Sequence, residues 1–111
     1  MSKGRESVHP VSGTADVQIV YRRSDERPVE YAILLQVRTE KGWQTRVVAD
    51  NSHAERNVAK HHWHRYLRGE KQPSQPLPFK VSSTNDAMAK IIKWFVKHWT
   101  ELISDDDADS R

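Results

Sequence analysis

The side chains best able to do chemistry are concentrated in one short segment near the middle of the chain. Residues 60–66 carry three imidazoles, two cations and a phenol: Lys60, His61, His62, His64, Arg65 and Tyr66. If the segment is a strand, alternation places His62 and His64 on one face, with their side chains about 6 to 7 Å apart, close enough to bracket a phosphate. We expect that face to lie toward solvent, because Trp63 and Leu67 occupy the other face and favour burial.

Two imidazoles spaced in this way can cleave RNA without a metal ion or another cofactor. The pKa of an imidazole lies near neutrality, so one histidine can remove the proton of the 2′-hydroxyl while the other protonates the 5′-oxygen leaving group. A guanidinium can stabilise the charge on phosphorus, and a phenol can hold the phosphate or stack on a base. The predicted catalytic residues are therefore His62, His64, Arg65 and Tyr66. The predicted contacts to nucleic acid outside this set are Lys60, His61, Arg68 and Lys71.

Two other interpretations of the same histidines stay open. An H-x-H pair on a strand can present two imidazoles, His62 and His64, to a divalent transition metal, with Asp50 or His53 completing the site. The other interpretation makes the histidines ordinary surface residues on a basic edge of a sheet, with Trp63 in the core. The chain contains no Cys, so thiolate metal sites, disulfides and cysteine catalysis are excluded.

Charge and composition indicate the kind of partner. The chain of 111 residues carries 18 Lys and Arg against 15 Asp and Glu, and residues 56–71 alone hold five bases and one acid. A basic centre of this kind favours a polyanion, either nucleic acid or an acidic protein. No apolar run approaches the ~18 residues that a membrane-spanning helix needs, and the first ten residues lack the apolar stretch of a signal peptide. We therefore expect a cytoplasmic protein with no membrane partner.

Period-two alternation predicts three strands ahead of the histidine-rich segment. The alternating positions are Val17, Ile19 and Tyr21 in the first strand, Tyr31, Ile33, Leu35 and Val37 in the second, and Trp43, Thr45 and Val47 in the third. The connections 24–28 and 40–42 have turn composition, so the strands should pair antiparallel as a meander. The second strand is apolar on much of both faces, which indicates a central position. Phe79 and Val81 could add a short fourth strand.

Residues 53–68 fit two secondary structures. Ser52 and Glu55 have the spacing of a capping box, and apolar residues then recur every four positions, which predicts a helix. The alternation within 61–67 fits a strand equally well, and local propensities leave both possibilities open.

One long amphipathic helix is predicted near the carboxyl-terminal end. Ser83 or Thr84 caps a helix over about 84–103. Its apolar stripe consists of Met88, Ile91, Ile92, Phe95, Trp99 and Leu102. An antiparallel meander of three to four strands followed by one helix indicates an α+β fold, with the helix on one face of the sheet. The other face would be left for RNA or for a second copy in a homodimer.

The sequence predicts one domain with two tails. Residues 1–14 are polar and show no periodicity, and residues 104–111 are acidic. Both are predicted to be disordered. One domain over 15–103 remains, in keeping with a length too small for two.

The order of these features resembles the TumE-type toxins of bacterial and archaeal toxin–antitoxin pairs over about residues 17–103. The matching residues are Asp50, Asn51, His53, His62, His64, Arg65 and Tyr66. The resemblance implies a compact α+β fold with a histidine-rich centre, a toxin-like role and a DNA-binding antitoxin that covers the basic face. It also favours a strand over 61–67.

Overall fold

The computed structural model describes residues 5–11, 13–25, 29–51 and 61–109. Within them the chain forms one antiparallel sheet and one helix. The strands are β1 (Arg5–Pro10), β2 (Val17–Ser24), β3 (Glu30–Thr39), β4 (Gly42–Asp50), β5 (His62–Leu67), β6 (Glu70–Lys71) and β7 (Gln75–Pro76), and the helix is α1 (Thr84–Asp109). None of the helical structure in these residues is long and apolar enough to cross a membrane.

The strands follow each other across the sheet in the order β1-β2-β3-β4-β5-β6. Strand β7 pairs with the first two residues of β5, on the edge that faces away from β4. The α+β class, the meander and the central position of β3 are confirmed. The predicted count of three to four strands is too low, because three strands lack the apolar alternation by which a strand is recognised: β1 is polar, and β6 and β7 have only two residues each. Their backbone pairing holds them in the sheet, and no sequence pattern reports that pairing.

Both predicted tails are partly ordered. Residues 5–10 form β1, paired with β2 from Arg5 opposite Arg23 to Pro10 opposite Gln18, so the prediction of disorder over 1–14 is wrong for this stretch. Val11 follows the strand and is buried in the core. Helix α1 continues through Asp109, six residues beyond the predicted end, so the acidic segment is helical up to that residue.

Helix α1 covers one face of the sheet. Ser83 caps it, because the Ser83 hydroxyl accepts a hydrogen bond of 3.0 Å from the backbone N–H of Asp86. Phe95 and Ile91 are fully buried against the inward-facing side chains of the central strands, chiefly Ile19, Ile33, Leu35 and Val47. Of the predicted stripe, Ile92 and Trp99 are only half-buried at its margin. The helix therefore leaves the other sheet face, here called the open face, uncovered by secondary structure within the described residues.

Candidate functional site

The histidine-rich segment is a strand and crosses the open face. His62 lies opposite Asp50 and His64 opposite Val48, whereas Trp63 lies opposite Ala49 and belongs to the core. The alternative of a helix over 53–68 is therefore wrong for residues 62–67. Residues 52–60, including the predicted site residues Lys60 and His53, lie outside the described part of the chain.

The two histidines are buried, which corrects the prediction that they face solvent. His62 is 4% exposed and His64 is 3% exposed. Tyr66 lies beside His64, with 5.3 Å between the ring centroids. The sequence could show which face of the strand the imidazoles occupy, but alternation carries no information on how deeply that face is covered.

Asp50 and Asn51 have separate roles at the end of β4. Asp50 Oδ1 lies 2.6 Å from His62 Nε2, a close carboxylate–imidazole contact. Asn51 accepts a hydrogen bond of 2.9 Å from the Tyr31 backbone N–H and donates one of 2.9 Å to the Val29 carbonyl oxygen. Asn51 thereby ties the end of β4 to the start of β3, and this fixes the position of Asp50 beside His62.

His64 has an unusual environment for a polar side chain. Both ring nitrogens are buried and have no hydrogen-bond partner within the described residues. Burial lowers the pKa of His64 below its ordinary value, and the charges of Lys71 and His62 lower it further, against an opposing effect of Asp50. His64 is therefore a neutral imidazole at pH 7, and no described residue donates a hydrogen bond to its basic nitrogen.

Next to Tyr66 the surface opens into a cavity of about 640 Å³, here called the basic cavity. Its lining residues are Gln44, Thr45, Arg46, Tyr66, Arg68 and Gly69. The two guanidinium groups give it a positive charge, and Tyr66 gives it an aromatic wall. Tyr66 joins the cavity to the histidine pair, because its ring lines the cavity and lies 5.3 Å from the His64 ring, centroid to centroid.

Arg46 reaches this cavity through the pairing of β4 with β5: Val47 lies opposite Arg65 and Val48 opposite His64, so residue 46 shares a face with Tyr66. On its other side β4 is irregular. Leu35 lies opposite Val47 and Gln36 opposite Thr45, so the register shifts by one residue and Arg46 is the extra one. Such a bulge bends the strand and redirects a side chain. Arg46 was not among the predicted site residues, because its place beside Tyr66 depends on which strand pairs with β4 and in what register, and a local pattern does not report that pairing.

Arg68 enters the cavity from the tight turn between β5 and β6. Arg68 and Gly69 have φ angles of 52° and 81°, between the paired residues Leu67 and Glu70. A two-residue hairpin with both φ angles positive prefers Asn-Gly, and a residue with a bulky side chain at the first position costs about 1 kcal/mol. Arg68 therefore adopts a backbone conformation that is unfavourable for its residue type. Such conformations are most common at functional sites.

Arg65 and His61 do not join the His62–His64 face. Arg65 lies opposite Val47, on the helix side, with its guanidinium carbon 5.5 Å from the centroid of the Trp63 ring. The prediction that Arg65 acts with the histidines is therefore not supported by its position, because residue 65 alternates with them. His61 Nδ1 shares a hydrogen bond of 2.9 Å with the Tyr31 hydroxyl. Burial, aided by Asp50, raises the pKa of Tyr31, so this phenol stays protonated.

The alternative of a metal site finds no three-ligand group in the described residues. No cluster of three or more His, Asp or Glu side chains there is arranged around a common point. The 2.6 Å between Asp50 and His62 is shorter than the ~3.3 Å expected between two ligands of one tetrahedral zinc ion with bonds of about 2.0 Å. His53, the remaining predicted ligand, lies outside the described residues.

Comparison with known proteins gives no match to a family model, a curated protein or a solved structure. The resemblance to TumE-type toxins stays a prediction from the sequence. Any function must therefore be inferred from the chemistry of the basic cavity and of the histidine pair beside it.

Proposed function

We propose that this chain binds single-stranded RNA, with a phosphate held between Arg46 and Arg68 and a base against Tyr66. The basic cavity is the observation that carries the proposal. Its volume of about 640 Å³ suits a nucleotide-sized ligand. Guanidinium groups bind phosphate through paired, charge-assisted hydrogen bonds, and an aromatic wall accepts a base that is not already stacked in a duplex.

Reversal of the cavity charges tests this proposal. Arg46→Glu or Arg68→Glu should each weaken binding of a fluorescein-labelled single-stranded RNA about tenfold, since a hydrogen bond to a charged group contributes about 1.5 kcal/mol or more. The slope of log affinity against log salt should become shallower by about 0.7 for each phosphate that the variant no longer neutralises. Lys80→Glu is the matched control, because Lys80 is exposed and lines no part of the cavity. Equal weakening by Lys80→Glu, or binding that ignores ionic strength, would show that RNA does not bind here.

Arg68→Asn separates function from stability. Asn tolerates the left-handed backbone at position 68, so the variant should raise the free energy of unfolding by up to about 1 kcal/mol. Its RNA affinity should nevertheless fall, because the guanidinium is gone. Thermal melting and the fluorescence titration measure the two effects on one sample. A variant that is more stable and still binds RNA normally would leave the cavity arginine without a role in binding.

RNA cleavage is a second candidate function, favoured by one observation. His64 is a buried neutral imidazole with both nitrogens unpartnered in the described residues, and its ring lies beside Tyr66, which lines the cavity. A neutral imidazole can accept a proton, and His62, held by Asp50, is the second imidazole that general acid–base cleavage needs. The phosphate charge would be stabilised by Arg46 and Arg68, in the role first predicted for Arg65.

The toxin role implied by the sequence resemblance remains part of this proposal. A toxin that binds RNA in the basic cavity would be neutralised by an antitoxin that covers Arg46 and Arg68. The charge-reversed variants extend the binding test to cells: controlled expression in a bacterial host should slow growth, and Arg68→Glu should relieve the effect. Normal growth with the unaltered chain would remove the toxin role and leave RNA binding unaffected.

A further inference from the structure

A second concave surface lies on the helix side of the sheet, away from the cavity proposed to bind RNA. It is a groove of about 270 Å³ lined by Phe79, Lys90, Lys93, Trp94, Lys97 and His98. We call it the lysine groove.

The floor of the groove is apolar and held in place by ring packing. Trp94 makes edge contacts with Trp63 and Phe79, at centroid distances of 5.2 and 5.8 Å and interplanar angles of 82° and 81°. Both Trp94 and Phe79 remain half-buried, so part of each ring still meets solvent. A partly exposed aromatic floor of fixed shape is the kind of pocket in which one apolar side chain of a partner can bury its surface.

The rim of the groove carries positive charge that the described residues do not fully neutralise. Lys90 contacts Asp86 at 3.1 Å and donates a hydrogen bond of 2.8 Å to the Lys80 carbonyl oxygen. Lys93 and Lys97 are exposed, and neither forms an ion pair with a described residue. Lys90 to Lys97 spans seven residues of helix, or about 10 Å at 1.5 Å per residue. About three to four residues of an extended peptide cover that length.

We propose that the lysine groove docks an acidic peptide segment of a partner protein that carries one apolar side chain. The apolar side chain would occupy the floor at Trp94 and Phe79, and carboxylates on either side of it would pair with Lys93 and Lys97. The charge of the rim selects an acidic partner, and the volume suits one large apolar side chain. Single-stranded RNA would meet the same lysines but fits the floor less well, because Trp94 packs edge-on against Trp63 and Phe79 and stays half-buried, which leaves a pocket for one side chain and no row of stacking faces.

The test uses the full chain, labelled with ¹⁵N, and a synthetic nine-residue peptide with one central leucine flanked by four acidic residues on each side. The peptide should shift the Trp94 indole N–H signal in a saturable manner, with a Kd between about 10 µM and 1 mM. The double variant Lys93→Glu/Lys97→Glu should weaken this binding at least tenfold without changing the melting temperature, because both side chains are exposed. Lys41→Glu is the control, since it reverses a lysine charge at a turn outside the groove.

Each alternative outcome overturns the proposal in a different way. No saturable shift at Trp94 up to about 1 mM peptide would mean that the groove does not take such a segment. Equal binding of a peptide with alanine in place of leucine would show that only charge attracts the peptide. Stronger shifts of Trp94 with a single-stranded RNA, abolished in the same double variant, would make the groove a nucleic-acid surface. None of these outcomes depends on the basic cavity, whose own test uses Arg46 and Arg68.

Discussion

Replacing Phe95 with Ala should lower the free energy of unfolding by about 3 to 5 kcal/mol, a large share of the stability of a small domain. The Phe95 side chain is fully buried between α1 and the inward face of the sheet. Removal of the ring loses the free energy gained by burying it, and it leaves a cavity that the surrounding β-sheet closes only partly. Chemical denaturation followed by tryptophan fluorescence measures the effect directly.

Val96→Ala is the matched control for this experiment. Val96 is the next residue on the same helix, but its side chain is 36% exposed. Its truncation should change the free energy of unfolding by no more than about 0.5 kcal/mol. If Phe95→Ala were as mild as Val96→Ala, the helix would not be docked on the sheet through this face.

The elements that position the site are predictable where burial imposes a period on the sequence. Strands β2 and β3 each have one face in the core beneath the helix, and period-two alternation records that contact. In β4 the bulge interrupts the alternation, so Val47 and Ala49 lie in the core but Trp43 is 40% exposed. Helix α1 has a stripe of period 3.6 for the same reason, and Ser83 begins it with a recognisable cap. The side chains of edge strand β1 are mostly exposed, so its sequence shows no apolar alternation. The backbone pairing of β1 with β2 could not be predicted from the sequence for that reason.

The candidate site is predictable in composition but not in geometry. The sequence shows that His62, His64 and Tyr66 share a face, and the structure agrees. Alternation also places Arg65 on the opposite face. Arg65 is nevertheless a predicted catalytic residue, because it is charged and lies next to the histidines in the sequence. The cavity instead holds Arg46, which shares a face with Tyr66 through the pairing of β4 with β5, and Arg68, which lies in a left-handed turn. Bulges and positive φ angles depend on pairing between strands, and a local pattern does not encode that pairing.

Burial of the two histidines changes how cleavage must be tested. His64 is 3% exposed and neutral, so a substrate in the basic cavity reaches it only if the neighbouring side chains, such as Tyr66, move. Replacement by Ala would leave a cavity beneath Tyr66, and a loss of activity could then reflect a loss of structure. His64→Gln keeps most of the volume and a polar tip, and it should therefore fold normally. RNA affinity, which depends on Arg46 and Arg68, shows whether the basic cavity is intact in the variant.

If the chain cleaves RNA, His64→Gln and His62→Gln should each lower the rate about 10²- to 10⁴-fold, with RNA affinity nearly unchanged. The unaltered chain should show a bell-shaped pH profile. A base must be neutral to act, and burial lowers the pKa of His64, so with His64 as the base the acid limb of the bell should lie below about pH 6.5, the ordinary value for His. A labelled RNA assayed with and without EDTA completes the test. Loss of cleavage in EDTA would replace the two-histidine mechanism with a metal-dependent one, and full cleavage by the double Gln variant would exclude both histidines. If the unaltered chain binds RNA and leaves it intact at every pH, the neutral state of His64 serves the packing of the open face, and the basic cavity is a binding site alone.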